Sequence, residues 1–283
     1  MIERLDITGI RDRVGAARAA GKSIALVPTM GALHEGHLSL IRRAAGENGF
    51  TVVSIFVNPI QFDDPTDFEK YPQTLGTDMP LAEAAGAGAV FAPSAKEMYP
   101  DGFSSFIDMT GITGRLCGAS RPSHFRGVCT VVGKLFHIVL PDRAYFGEKD
   151  AQQLAVVRKM VRELDFPVEV IGCPTVREAD GLAMSSRNGR LSPAERQAAL
   201  SLSRALATAQ GAFAAGERDA GKLKALMRAE IEKEPLARID YVEIVEPSGF
   251  GSVATATAGS RMALAVFIGG TRLIDNAELT GGA

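Results

Sequence analysis

Short, mainly apolar runs recur along the first two thirds of this chain, at Ile24-Ala-Leu-Val27, Thr51-Val-Val-Ser-Ile-Phe-Val57, Ala89-Val-Phe-Ala92, Ala144-Tyr-Phe-Gly147 and Val168-Glu-Val-Ile-Gly172. Runs of this length predict strands, and the β-branched run 51–57 has the character of a buried strand of a parallel sheet. Between them the apolar positions fall at helical spacing. Helices are predicted over 9–20, from Leu38 to about Glu47, from Met79 to Ala85 and over 130–139, and Leu154, Val157, Val161 and Leu164 make a further helical stripe. Strand, helix and strand in alternation make a β-α-β unit from residue 24 onward, and so an α/β fold. The polar stretch 63–78 is long for a connection in a compact domain, and loops of that length often act as lids.

The pattern changes after about residue 176. Two helical stretches, 193–214 and 219–233, precede alternating or apolar runs at 239–245, 262–268 and 272–275. That order predicts helices with a small antiparallel sheet, a second α+β domain. The expected division is therefore 1–176 and 177–283, with a ligand cleft at the junction.

Composition narrows the choice of chemistry. A formal charge of −2 gives no general reason to bind nucleic acid, so any anion site has to be local. Cys117, Cys129 and Cys173 are odd in number and form no Cys-x-x-Cys, which argues for reduced thiols over a disulfide framework. The acidic start Met1-Ile-Glu-Arg-Leu-Asp6 lacks a signal-peptide core, and no apolar run approaches membrane-spanning length. A cytoplasmic protein is expected.

The chain is organised around Val27-Pro-Thr-Met-Gly-Ala-Leu-His-Glu-Gly-His-Leu38, where the first buried strand becomes a helix. Gly31 and Gly36 let backbone approach a ligand, and the N–H groups of a helix start favour an anion. His34 and His37, three apart, share a helical face and can donate to phosphate oxygens. A metal pair and a plain helix cap are the blander readings. No zinc-motif partner stands at a suitable spacing, and His-Glu-x-x-His is absent.

Two glycine-bearing stretches are decoys. Gly21-Lys-Ser23 follows a helix and precedes a strand, the reverse of a P-loop, and Gly86-Ala-Gly88 lacks a third glycine and has the same wrong order. Asn58 and Gln61 leave the end of the second buried strand, where open α/β sheets bind ligands, and as neutral amides suit a small polar substrate. Arg115, Arg121 and Arg126 add local positive charge, useful to an anion and equally ordinary on a solvated face. Lys149 can set a charge on phosphate, with Asp150 and Gln153 on one helical face behind it. In Asp180-Gly-Leu-Ala-Met-Ser-Ser-Arg-Asn188, two hydroxyls and a guanidinium sit in a loop able to close over a triphosphate.

His-x-Gly-His after the first buried strand and Met-Ser-Ser-Arg after the last resemble the paired HIGH and KMSKS signatures of the nucleotidyltransferase superfamily, although Ala183 stands where the second signature has lysine. The resemblance is closer to the pantothenate synthetase family, the AMP-forming pantoate–β-alanine ligases, and covers nearly the whole chain. It rests on Pro28-Thr-Met-Gly-Ala-Leu-His-Glu-Gly-His37, Phe56-Val-Asn-Pro-Ile-Gln-Phe62, His124-Phe-Arg-Gly-Val128, Phe146-Gly-Glu-Lys-Asp-Ala-Gln-Gln-Leu154, Asp180 to Asn188 and Thr271-Arg-Leu-Ile-Asp-Asn276, in that family's order.

The resemblance implies a Rossmann-like amino-terminal domain, a smaller carboxy-terminal domain and a homodimer. It implies ATP, pantoate and β-alanine as substrates, with magnesium accompanying ATP and pantoyl adenylate as the intermediate. It further implies that ATP is held by Met30, Gly31, Ala32, Leu33, His34, Glu35, Gly36 and His37, by Gly147, Glu148, Lys149 and Asp150, and by Val176, Met184, Ser185, Ser186 and Arg187. His37, His34 and Lys149 carry the chemistry in this reading, with His37 as general acid. Gln61 and Gln153 bind pantoate, Gln61 also touches β-alanine, and Asp78 is the acidic residue near the metal.

Four local departures from the family pattern, Asp63, Gln73, His137 and Ala151, touch no residue assigned to chemistry. The rival readings are another adenylyl- or cytidylyltransferase with the same ATP grip, and a nucleotide-binding module without catalysis. Neutral amides at 58, 61 and 153 favour a small hydroxy acid over a phosphorylated acceptor.

Overall fold

A computed structural model describes residues 3–281. Among these residues a six-stranded sheet contains β1 (Arg4–Leu5), β2 (Ile24–Thr29), β3 (Phe50–Ile55), β4 (Ala89–Phe91), β5 (Arg143–Gly147) and β6 (Glu169–Cys173). Every pairing in it is parallel, in the order β1-β4-β3-β2-β5-β6. Helices cover both faces, as a parallel sheet requires. Ile10, Leu26, Phe91 and Leu135 belong to the core on one side, and Val27, Ile41, Val53 and Tyr145 to the core on the other.

The strand order explains where a ligand can enter. From β2 the chain steps outward through β3 to β4, then returns to lay β5 against the other edge of β2. Connections leaving β2 and β5 therefore diverge, opening a crevice beyond their carboxyl ends. Pro28 to His37 and Glu148 to Gln153 lie at that crevice.

A second sheet is antiparallel, with β7 (Ala237–Val245), β8 (Arg261–Ile268) and β9 (Thr271–Glu278) in sequence order. Helices Ser201–Ala214 and Ala220–Ile231 cover it, burying Leu206, Phe213, Leu223 and Met227 against Val242, Leu264 and Val266. Val245 and Phe250 pack instead into a core of the parallel sheet, joining the two halves.

Several elements depart from the sequence expectation. The stretch 63–78 is mostly helical, with helix Pro65–Glu69 capped by the Asp64 carboxylate and helix Leu75–Ala84 beginning four residues before Met79. Polar composition hid both, because each is short and neither buries a long apolar stripe. Helix His124–Val139 starts six residues before Thr130, and His124, Phe125 and Gly127 of its first turn are buried. The expected helix 193–214 breaks into Pro193–Ala199 and Ser201–Ala214. β1 went unforeseen, since two residues carry no periodicity.

Candidate active site

The loop after β2 bends through two left-handed residues, Gly31 at φ 83° and Ala32 at φ 49°. Such a turn is costly for alanine, and a buried carboxylate holds it in place. Asp78, 1% exposed, accepts the Ala32 N–H at 3.0 Å through Oδ2 and the Leu33 N–H at 2.8 Å through Oδ1. Thr74 Oγ1 donates to Asp78 Oδ2 at 2.9 Å. A Cβ on Gly31 would come within 2.9 Å of that same oxygen, so glycine is required there for space as well as for φ.

This turn delivers His34 to the N-cap of helix Glu35–Glu47, which begins three residues earlier than its apolar pattern predicts. His37 then stands in the first turn, and the two imidazoles stack at 4.1 Å between centroids. The His34 N–H points to His37 Nδ1 at 3.4 Å, which makes Nδ1 the acceptor and leaves the proton on Nε2. His34 Nδ1 is buried without a hydrogen-bond partner among the described residues. A Cβ on Gly36 would fall 2.9 Å from the His34 ring, so this glycine makes room for it. Burial, followed by the neighbouring His34, pushes His37 down to about 3. Burial and then Lys149 lower His34. Both rings are neutral near pH 7 and can each offer one N–H.

Gln61 ends the short helical turn Pro59–Gln61 and is buried. Asn58 Nδ2 donates to Gln61 Oε1 at 2.9 Å, Tyr99 OH donates to Asn58 Oδ1 at 2.7 Å, and Gln61 Nε2 faces the Met30 sulfur at 3.3 Å. The amide's orientation follows from that chain of donors. Its backbone is held as well: the Gln61 carbonyl accepts from His124 Nδ1 at 3.0 Å and from Arg121 at 3.1 Å. Burial, then Arg121, lowers His124 to about 4, so this histidine is a neutral donor.

Lys149 sits in the turn Glu148–Asp150 between β5 and helix Ala151–Glu163. Its ammonium makes no hydrogen bond or ion pair with the described residues. Across the cleft, Met184 N–H donates to the Val176 carbonyl at 3.0 Å, and Ser185 Oγ caps the turn Ser186–Arg190. Tyr71 OH lies 3.2 Å from Ser186 Oγ, and Asp67 pairs with both Arg187 and Arg190.

These groups line one cavity of about 860 Å³, within the range of small-molecule sites. Met30, His34, Gly36, His37, Gln61, Gly147, Lys149, Asp150, Gln153, Val176 and Met184 to Arg187 all line it. Gly31, Ala32, Leu33, Glu35, Glu148 and Asp78 do not line it. Glu35 pairs with Arg42 on the helix surface.

Asp78, expected near the metal, accepts loop N–H groups and the Thr74 hydroxyl behind the cavity wall, and in this structure it clamps the backbone of the turn. No group of three or more His, Cys, Asp or Glu side chains converges on a metal position among the described residues. Sequence reasoning also missed Asp67, Tyr71 and Arg190, which sit in polar stretches without a pattern, and gave His124 no role although its segment stood out.

The family model for pantoate-beta-alanine ligase matches residues 5–278. The chain belongs to that family. Pantothenate synthetase of Moorella thermoacetica is 54% identical over 273 residues, covering 96% of each chain, and that of Heliobacterium modesticaldum is 59% identical over 256 residues, covering 90% of this chain and 91% of the relative. Among solved structures, a pantothenate synthetase from Thermus thermophilus superposes with a TM-score of 0.94 at 44% identity, covering 99% of this chain and all of that one. Pantoate-beta-alanine ligase from Francisella tularensis, solved with beta-gamma ATP and beta-alanine, gives a TM-score of 0.83 at 34% identity, covering 100% of this chain and 99% of that one. Cationic, imidazole and neutral amide groups thus surround one cavity in a chain of this family.

Proposed function

We propose that this chain condenses pantoate with β-alanine at the expense of ATP, through pantoyl adenylate. The observation that carries the reading is the convergence of His34, His37, Lys149 and Arg187 with Gln61 and Gln153 on one cavity, in a chain matched by the ligase family over residues 5–278.

A carboxylate is a poor acyl donor until one of its oxygens becomes part of a good leaving group. Pantoate's carboxylate oxygen attacks the α-phosphorus of ATP, pyrophosphate departs, and the mixed anhydride forms. The β-alanine amine then attacks the acyl carbon, forming the amide and releasing AMP. Met30, His34, Gly36, His37, Gly147, Lys149, Asp150, Val176 and Met184 to Arg187 hold the nucleotide, on turns to which Glu35 and Glu148 belong. Gly31 to Leu33 shape this wall from behind.

Lys149, the Nε2–H of His37 and the one N–H of the neutral His34 ring serve the charge that grows on the phosphates. A triphosphate beside His37 raises its proton affinity, since a nearby negative charge favours the protonated ring, and so prepares it as general acid. Gln61 and Gln153 hold pantoate, and Gln61 also meets β-alanine. Magnesium enters on the phosphate oxygens of ATP in this reading.

The same proposal divides the chain at residue 176 and places it in the cytoplasm as a homodimer. Free, buried Cys117, Cys129 and Cys173 support a reducing compartment, and no helix among the described residues is long and apolar enough to cross a membrane. Sedimentation equilibrium tests the dimer.

Pantoate-dependent exchange of labelled pyrophosphate into ATP, with β-alanine omitted, tests the chemistry. Exchange is expected. Its absence in folded, ATP-binding protein would redirect the reading to a different acceptor or to nucleotide binding without catalysis.

A further inference from the structure

Asn276 lies on β9 and is buried, yet its side chain leaves the small sheet and reaches the turn that carries Lys149. Nδ2 donates to the Glu148 carbonyl at 3.0 Å and to the Lys149 carbonyl at 2.9 Å. Those two carbonyls belong to the peptide units on either side of the Lys149 Cα. One amide therefore pins both planes that set the direction in which the lysine side chain leaves the backbone.

The orientation of the amide is chemically determined. Arg261 donates to Asn276 Oδ1, and a guanidinium can only donate, while the two carbonyls can only accept. The Asn276 backbone is fixed in turn, its N–H donating to Asp275 Oδ1 at 2.8 Å. Asp275, 2% exposed, is gripped by Arg177 through two bonds of 2.7 and 2.9 Å. Arg177 also donates to the Gly181 carbonyl at 3.0 Å, at the base of the Met184 to Arg187 loop. The array thus ties the small sheet to both walls of the nucleotide cleft.

We propose that Asn276 is a positioning residue for Lys149, acting from the small sheet on the turn at the end of β5. This rests on the assignment of Lys149 to the nucleotide site. Asn276→Asp keeps the size of the side chain but has no donor for the two carbonyls and sets negative charge against them. Misplacing a reacting group by a fraction of an ångström to an ångström costs from about tenfold to about a hundredfold in rate.

The test is a double-mutant cycle on pyrophosphate exchange with Lys149→Ala, Asn276→Asp and the double variant, each checked for fold by thermal melting. Asn276→Ala, which introduces no charge, is run beside it so that one misfolding variant does not decide the matter. The expected result is an exchange rate at least about tenfold lower for the Asn276 variants, with almost no further loss when Lys149 is already alanine. Wild-type exchange in a folded Asn276 variant would overturn the proposal, as would losses that multiply in the double variant, since a generally structural residue behaves that way. Wild-type exchange in Lys149→Ala would instead remove Lys149 from the site, a failure of the underlying reading that this design separates from the other two.

Discussion

Asp67 Oδ2 lies 2.8 Å from Arg187 Nη2, and the other oxygen of the same carboxylate lies 2.9 Å from Arg190 Nη1. A short helix of the 63–78 stretch is thereby fastened to the loop that faces the nucleotide cleft. Burial alone would raise the Asp67 carboxyl, but the charges and hydrogen bonds of Arg187 and Arg190 outweigh it and hold the group below its ordinary value. The guanidinium assigned to ATP is thus paired with a carboxylate that a phosphate would have to displace.

Asp67→Asn removes that competition. The ATP concentration for half-maximal rate should fall by roughly two- to fivefold, in line with about 0.4–1 kcal/mol for a partly exposed pair. Steady-state kinetics with ATP varied measures it. A rise would mean that Asp67 orients Arg187 for the phosphates and does not compete with them.

His37→Ala should leave the fold intact, since the ring contributes only a long 3.4 Å contact to the helix start and its packing on His34. Turnover should drop by at least about tenfold through loss of a donor aimed at developing charge. Wild-type turnover in this variant would remove His37 from the chemistry.

Gly127 packs its backbone against the turn that carries Gln61. A Cβ there would lie 2.4 Å from the Ile60 carbonyl oxygen and 2.6 Å from Gln61 Cα, both backbone atoms that cannot rotate away. Gly127→Ala should cost about 1–3 kcal/mol of stability and raise the pantoate concentration for half-maximal rate. Gln61→Ala should raise that concentration as well, with a smaller change in melting temperature. An unchanged value in Gln61→Ala would take Gln61 out of the pantoate site.

His37 at about 3, His124 at about 4 and the lowered His34 all start from an ordinary value of 6.5. Below pH 6.5 the unfolded chain binds protons that the folded protein refuses, so stability is complete above that pH and declines as pH falls toward 4 and 3. Each such group contributes a slope of up to about 1.4 kcal/mol per pH unit. Melting temperature followed from pH 7 to pH 5 should fall, and His124→Asn should make the fall shallower. Parallel curves for the two proteins would show that His124 is protonated in the folded state.

The periodicity of the chain determined much of its architecture. Continuous apolar runs at 24–27, 51–57 and 144–147 became β2, β3 and β5, because a strand covered on both faces has no polar position to interrupt it. His34, His37, Lys149 and Arg187 were legible because glycines, hydroxyls and cations at strand ends have few structural reasons to gather there. What the tertiary structure decided is the partnership of these groups. Asp78 looked like a metal-side acid and is the clamp of a strained turn, Asp67 looked like loop polarity and neutralises Arg187, and Asn276 reaches Lys149 over a separation of 127 residues. A hydrogen bond depends on atoms about 3 Å apart in space, and sequence spacing reports such proximity only within one helix or strand. Between elements it is set by how the sheets pack, and that is where this site is assembled.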